Sequence, residues 1–203
     1  MSKFEHDLFD EDGNRKYLIG EERQRFFDHI EPALSKPGDR EKKTFPLLLY
    51  YTGCRISEGL AVTYNDIDYS TGGVIFRTLK RRKTTHRFVP LPHSFMVRLD
   101  DVNHVKEQQN ARTLGPARER IWPMGRTTAW RLISRVMEDA GIEGVQATPK
   151  GLRHSFVIEH QSLGTPAHMI QKWAGWSSAK MMQVYGRAIG SEEQELASRL
   201  WQR

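Results

Sequence analysis

The chain has 203 residues, 38% hydrophobic and 28% charged, and its 31 Lys and Arg outnumber 25 Asp and Glu to give a formal net charge of +6. This length supports one domain with a substantial core, or two small ones. The single cysteine, Cys54, excludes an intramolecular disulfide. The chain lacks both an apolar run near 18 residues and the features of a signal peptide. We therefore expect a cytoplasmic protein with no membrane partner, whose positive charge favours a polyanionic partner.

The first half of the chain predicts helices followed by a β-hairpin. Residues 1–17 are polar and irregular. Apolar residues at helical spacing predict a helix over residues 20–34, a largely buried helix over 43–53, and one or two helical turns after it. The segments "GGVIFRTLK" and "HRFVPLP" then change to the pattern of strands. They predict a hairpin over residues 73–91 with a turn rich in Lys and Arg.

The second half predicts further helices. The first covers "PHSFMVRLDDVNHVKEQ", and a loop through "TLGPARERIWPMG" follows it. "RTTAWRLISRVMEDAGI" is a helix with Gly141 near its C-cap, and "TPKGLRHSFVIEHQSLG" opens with a Thr N-cap and a Pro at the first helical position. Three more helical segments each begin with a Ser or Thr cap: "TPAHMIQKWAGW", "SSAKMMQVYGRA" and "SEEQELASRLWQ". The predicted fold class is mainly α with a small antiparallel β-sheet (α+β).

Two arginines stand in apolar surroundings, where a merely solvated arginine would be out of place. Arg55 lies between "LLLYYTGC" and "ISEGL", and Glu58 can hold its guanidinium through an i,i+3 contact. Arg153 lies between apolar residues, with Lys150 one turn earlier on the same face. Arginine is the best phosphate clamp among side chains because its planar fork presents several donors and stays protonated. A structural ion pair at Arg55 and a solvated basic helix face at Arg153 remain the alternatives.

Five motifs in sequence order carry a resemblance to a known family. "TGCRISEGL", "TLKRRKTTHRFVPLP", "TPKGLRHSF", "QKWAGWSS" and "VYGRA" resemble the motifs of the tyrosine recombinase (phage integrase) family, with family-like gaps. The resemblance implies a catalytic domain over residues 18–190 that cleaves and rejoins DNA at a recombination site. It implies that Arg55 and Arg153 clamp the scissile phosphate and that Tyr185 attacks it to form a 3′-phosphotyrosyl link. Neither a metal, ATP nor another cofactor is expected.

The resemblance also implies a lysine in the hairpin that protonates the 5′-oxygen leaving group. Counting along the first strand favours Lys80, whereas counting back from "FVPLP" points to Lys83. The alternative is that "KRRK" is a nonspecific phosphate patch. The residues expected to bind the DNA backbone are Arg81, Arg82, Lys83, Arg87, Arg126 and Arg131.

The chain departs from the family pattern at two positions. Lys150 stands where the family has a histidine, and its ordinary pKa near 10.4 makes it a poor general base but a suitable donor. We keep His154 as a supporting residue and an alternative base, although the adjacent helix position points to a different face from Arg153. Trp176 stands where the family commonly has a second histidine, and its indole N–H can still donate to a phosphate oxygen. A core or interface role for Trp176 is the alternative.

The ends of the chain and the wider function each have alternative interpretations. The tail at residues 191–203 is a predicted helix that docks either on its own domain or on a neighbouring subunit. The expected partners are double-stranded DNA and further copies of the chain, which form a dimer or tetramer on DNA. Because only about twenty residues precede the catalytic pattern, the sequence is either a fragment or a minimal member. The competing functions are a catalytically silent DNA-binding regulator and, third, a type IB topoisomerase.

Overall fold

The fold is a set of helices arranged around one three-stranded antiparallel sheet, as the predicted fold class required. The computed structural model describes residues 8–33, 40–78, 85–111 and 114–185, with positions 198 and 201. The helices are α1 (Gly20–Ala33), α2 (Arg40–Thr52), α3 (Ile56–Gly59), α4 (His93–Asn103), α5 (Val105–Asn110), α6 (Leu114–Ala117), α7 (Arg126–Asp139), α8 (Pro149–Ser162), α9 (Ala167–Ala174) and α10 (Lys180–Tyr185). The strands are β1 (Ile67–Asp68), β2 (Gly73–Thr78) and β3 (Thr85–Pro90), and a 3₁₀ turn covers Tyr64–Asp66.

The predicted hairpin forms two of the three strands of the sheet, with β2 in the centre. Strands β2 and β3 pair antiparallel from Gly73 opposite Pro90 to Thr78 opposite Thr85, and β1 adds two residues on the other edge of β2. Val74 and Phe76 of β2 are buried, so this face of the strand packs on the core. Strand β1 was not predicted because two residues are too few to show an alternating pattern. The basic turn, including Lys80, Arg81, Arg82 and Lys83, lies outside the described residues.

Three local predictions were wrong. The single helix expected after the hairpin is two helices, because His104 takes a left-handed conformation (φ 53°) between α4 and α5. The expected loop before α7 contains the short helix α6. Thr165 does not cap α9, whose N-cap is Pro166. The Thr165 hydroxyl instead lies 3.1 Å from Nδ1 of His160.

Helix α8 runs through the interior and begins as its sequence predicts. The Thr148 hydroxyl accepts a hydrogen bond from the Gly151 N–H at 3.0 Å, and Pro149 occupies the start of the helix, where no N–H is needed. Every residue from 151 to 158 is buried. Polar side chains within this stretch therefore have to find partners inside the protein.

The buried apolar residues of the described chain form two clusters. The larger joins α1, α2, α4, α7 and the sheet. The smaller contains Leu8, Phe156, Ile170 and Tyr185, with Trp176 packed against it. Leu8 belongs to the N-terminal segment, which forms a turn closed by a bridge between Phe9 and Arg15. Among the described residues, none of the helices is long and apolar enough to cross a membrane.

Candidate active site

Arg55 lies in the short connection between α2 and α3. Glu58 accepts a hydrogen bond from its backbone N–H at 2.9 Å and another from its Nη1 at 3.2 Å. The contact predicted between these two side chains is thus confirmed. The Arg55 side chain remains 36% exposed, so it is partly accessible to solvent although Glu58 binds both its backbone N–H and its guanidinium.

Arg153 projects from the buried stretch of α8, and two backbone carbonyls orient its guanidinium. Nη1 donates to the Gly53 oxygen at 2.5 Å and Nη2 to the Ala174 oxygen at 2.7 Å. Gly53 has a left-handed backbone (φ 55°), and a Cβ there would collide with the ring of Phe156. Glycine is therefore required to bring this carbonyl to Arg153.

Tyr185 ends α10 and is buried, with 1% of its surface exposed. The Trp176 ring lies 5.1 Å from its ring, centroid to centroid, at an interplanar angle of 31°. Trp176 in turn lies 5.9 Å beneath the guanidinium carbon of Arg153. The fold thus brings together Tyr185, Trp176 and Arg153, which are predicted from three separate motifs.

His154 contacts the nucleophile candidate directly. Its Nδ1 lies 2.6 Å from the Tyr185 hydroxyl, and the two rings are 5.6 Å apart. His154 belongs to the site although it follows Arg153 directly on α8, because Tyr185 at the end of α10 lies against its side chain. A single-helix projection could not show this, since it contains no information on where α10 lies.

The electrostatics of the site oppose ionisation of Tyr185. Burial raises the pKa of Tyr185 to about 12, although the positive charges of Arg153 and Arg55 act in the opposite direction. Burial, together with repulsion from Arg55, lowers the pKa of Arg153 to about 10, which still leaves it protonated at neutral pH. The charges of both arginines therefore reach the Tyr185 hydroxyl.

Arg87 lies inside the protein and not on a DNA-binding surface as predicted. We expected it to bind the DNA backbone, but it is buried, with 6% of its surface exposed. Its guanidinium makes two hydrogen bonds to Glu58, at 3.1 and 2.8 Å, and donates through Nε to the Trp173 oxygen at 3.0 Å. Gly175, in a left-handed conformation (φ 65°), leaves room for this guanidinium, which a Cβ would approach to 2.9 Å. Alternation along β3 points Arg87 inward, a signal that was available in the sequence.

Glu58 consequently lies between two arginines. Burial penalises its charge, but the hydrogen bonds and charge of Arg87, with the Arg55 N–H, outweigh this and hold the pKa of Glu58 below its ordinary value. Glu58 is therefore ionised at neutral pH. The chain Arg87–Glu58–Arg55 links the inner face of β3 to the exposed guanidinium.

The remaining predicted basic residues lie nearer the surface. Lys150 is exposed one turn before Arg153, and Arg126 and Arg131 are exposed on α7. Sequence reasoning did not single out Arg23, which is buried on α1, donates to the Ser155 hydroxyl at 3.0 Å and stacks over Tyr50 at 4.3 Å.

The family match agrees with this arrangement. Residues 16–190 match the model of the phage integrase family, so the chain belongs to that family. The resemblance given by the five motifs is thereby confirmed.

Among curated proteins, the chain is similar to a resolvase of Escherichia coli, with 27% identity over 199 residues that cover 86% of this chain and 72% of that protein. It is also similar to the tyrosine recombinase XerA of Pyrococcus furiosus, with 29% identity over 161 residues that cover 75% and 52% of the two chains.

Two solved structures share the fold. The XerH site-specific recombinase in a post-cleavage complex with a palindromic difH substrate matches with a TM-score of 0.71 and 18% identity, over 93% of this chain and 54% of that one. The XerA recombinase matches with a TM-score of 0.67 and 23% identity, over 90% and 62%. The chain thus spans about half the length of several proteins that it matches.

Proposed function

We propose that the protein is a site-specific DNA recombinase that cleaves and rejoins DNA through a covalent 3′-phosphotyrosyl intermediate. The observation that carries this proposal is the convergence of Arg55, Arg153 and Trp176 on the buried Tyr185. Membership of the phage integrase family and similarity to proteins named as tyrosine recombinases support it. The proposal applies to cleavage first, since strand exchange requires more than one copy on DNA.

In the proposed reaction the two arginines bind the scissile phosphate. Two of the five donors of Arg153 are used by carbonyls, so the others are available to nonbridging oxygens. The partly exposed fork of Arg55 supplies further donors. Fixed cationic donors stabilise the charge that develops on the phosphoryl oxygens as Tyr185 attacks. The broken bond is conserved in the phosphotyrosyl link, so rejoining needs no external energy source.

Other residues complete the site in this proposal. Lys80, or Lys83 if the turn is longer, protonates the 5′-oxygen as it leaves. The Trp176 N–H donates to a nonbridging oxygen. Lys150, exposed one turn before Arg153 on α8, adds positive charge near the phosphate. Arg126 and Arg131 contact the flanking backbone. The hairpin residues Arg81 and Arg82 are proposed to do the same.

The proposed partner is double-stranded DNA, and the proposed assembly is a dimer or tetramer that forms on it. A tail after the nucleophile offers a means of joining subunits. Its Trp201 is 76% exposed, while most of residues 186–203 lies outside the described chain. The cytoplasm, where chromosomal and plasmid DNA lies in a prokaryote, is the proposed location.

The test is capture of the covalent adduct. The protein is incubated with a library of randomised duplexes, each carrying one nick, so that cleavage close to the nick releases a short strand that diffuses away. SDS-resistant protein–DNA adducts are isolated and their DNA sequenced, and the enriched site becomes the substrate for rate measurements. We expect an adduct from the native protein and none from Tyr185→Phe, which lacks the attacking oxygen but retains DNA binding.

The matched control is Tyr64→Phe, which removes a hydroxyl outside the site and should give the native adduct yield. DNA binding without any adduct would support the silent DNA-binding protein instead. Relaxation of supercoiled DNA without site preference would support a topoisomerase. An adduct that survives Tyr185→Phe would reject only the choice of nucleophile.

A further inference from the structure

The Tyr185 hydroxyl and Nδ1 of His154 are held together in the interior. The distance between them is 2.6 Å, and the two residues are 1% and 5% exposed. At this separation the phenol donates to Nδ1 when the imidazole is neutral and carries its proton on Nε2. In a site with little water, such a bond fixes the direction in which the phenol proton can leave.

A proton acceptor is needed because the phenol ionises poorly here. With a pKa of about 12, Tyr185 is almost entirely un-ionised at pH 7. A neutral imidazole has a free nitrogen lone pair and can accept a proton. Lys150, at the position where the family has a histidine, is exposed and of a residue type that is protonated at neutral pH. Lys150 is therefore a poor candidate for the acceptor.

We propose that His154 is the general base that accepts the proton of Tyr185 during DNA cleavage. This inference rests on the proposed recombinase activity and assigns to His154 a step that the family pattern would place elsewhere. The hydroxyl proton passes to Nδ1 while the Tyr185 oxygen bonds to phosphorus and the bond from phosphorus to the 5′-oxygen breaks. The hairpin lysine protonates that oxygen. In rejoining, the incoming 5′-hydroxyl returns its proton to the lysine and the imidazolium returns its proton to Tyr185.

The charged groups around the pair favour this sequence of events. Arg153 is the neighbour of His154 on α8, Arg55 acts on the Tyr185 hydroxyl from the α2–α3 connection, and Arg23 of α1 donates to the next residue, Ser155. The nearby carboxylate of Glu58 is already engaged by Arg87 and Arg55. These cations repel additional positive charge while the site is empty. A bound phosphate neutralises them, so proton transfer to His154 becomes easier once the substrate is in place.

The decisive variant is His154→Asn. The asparagine side chain places an amide where Nδ1 was, so it can accept the hydrogen bond from Tyr185 but cannot take its proton. We expect the single-turnover rate of adduct formation to fall by about 10²-fold or more, as for loss of a general base. The native rate should rise with pH as the base loses its proton, and this limb should disappear in the variant. A variant within threefold of the native rate, with the same pH profile, would show that His154 only positions Tyr185.

A substrate with sulfur in place of the bridging 5′-oxygen separates the two proton transfers. Its leaving group needs no protonation. This substrate should therefore restore the cleavage rate of the variant that lacks the general acid, either Lys80→Ala or Lys83→Ala. It should not restore His154→Asn. Restoration of His154→Asn would contradict the assignment, and so would a variant faster than the native protein, which would make the hydrogen bond a restraint on the nucleophile.

A control variant and a second variant of His154 distinguish loss of the base from a folding defect. His160→Asn alters a half-buried histidine on the same helix and should retain native cleavage. His154→Ala leaves a cavity beside Tyr185, and added imidazole should raise its cleavage rate with the pH dependence of the free imidazole. Absence of rescue in a folded His154→Ala protein, judged by its thermal transition and DNA affinity, would count against the base. Failure of the native protein itself to form an adduct would reject the recombinase proposal, a separate outcome.

Discussion

The two arginines of the site are held in different ways, and substitution by lysine should reveal it. Arg153 is 9% exposed and uses two nitrogens on the carbonyls of Gly53 and Ala174, whereas Arg55 is partly solvated and contacts the side chain of Glu58. Lysine has a single nitrogen and cannot reproduce a fork that spans two carbonyls and a phosphate. We expect both substitutions to lower the cleavage rate by about 10²–10³-fold.

Stability distinguishes the two variants. Arg153→Lys should lower the free energy of unfolding by about 1–3 kcal/mol because one buried carbonyl loses its donor. Arg55→Lys should change it by less than about 1 kcal/mol, since a lysine can keep a solvated contact with Glu58. Urea denaturation and single-turnover cleavage on the same preparations test this. Equal destabilisation by the two substitutions would show that the buried hydrogen bonds of Arg153 contribute no more to stability than the partly solvated contact of Arg55.

Single residues also show how far the sequence can predict this site. Arg55, Arg153, Trp176 and Tyr185 are recognisable because short, ordered motifs contain them. The contact between His154 and Tyr185 was missed because the two residues are 31 positions apart in sequence and meet only through the tertiary fold. A short motif can identify a functional residue, but it does not show which distant residue that side chain contacts in the fold.

At the scale of elements, the pair formed by Glu58 and Arg87 joins α3 to β3 inside the protein. Both side chains are about 6–7% exposed and share two hydrogen bonds. Breaking a buried pair by removing one partner is strongly destabilising because the other charge stays buried without compensation. We expect Glu58→Gln to lower the free energy of unfolding at pH 7 by about 3–5 kcal/mol, and Glu58→Gln with Arg87→Met to recover much of that loss.

The same pair gives the stability of the protein an acid limb. The pKa of Glu58 is lower in the folded protein than its ordinary value of 4.5, so the unfolded chain binds the proton more readily. The stabilisation is therefore fully present above about pH 5 and is lost as the pH falls through the folded value. Thermal unfolding followed by circular dichroism should show a shallower acid decline in the double variant than in the native protein. Parallel declines would indicate that other carboxylates, such as Glu22, account for the acid limb.

Elements were predictable where local signals set their limits. The capping hydroxyl of Thr148 and the following proline located the start of α8, and the alternating pattern located β2 and β3. The break between α4 and α5 was not predictable, because it follows from the left-handed conformation of His104 rather than from a glycine or proline. Helix formation in such borderline segments is decided by tertiary packing more than by propensity.

At the scale of the whole molecule, a net charge of +6 over 203 residues is too small to specify where DNA binds. The location has to come from how the charge is distributed over the surface. Helix α7 exposes Arg126, Arg131 and a Trp130 that is 48% exposed, and its first turn carries no acidic residue. Arg126 and Trp130 are four positions apart, so they lie on one face of the helix.

If the exposed surface of α7 contacts the DNA backbone, Arg126 and Arg131 should each contribute to the salt dependence of binding. Each phosphate contact to duplex DNA adds about 0.9 to the magnitude of the slope of log K against log salt concentration. We expect Arg126→Ala and Arg131→Ala each to reduce that slope by about 0.9, with little dependence on DNA sequence, as measured by fluorescence anisotropy over a salt series. The matched control is Lys106→Ala on α5, which removes the same charge from a lysine engaged with Asp100 at 3.1 Å and with the ring of Tyr69. Its slope should equal the native one, and an equal reduction in all three variants would mean that net charge, not the exposed face of α7, determines the affinity for DNA.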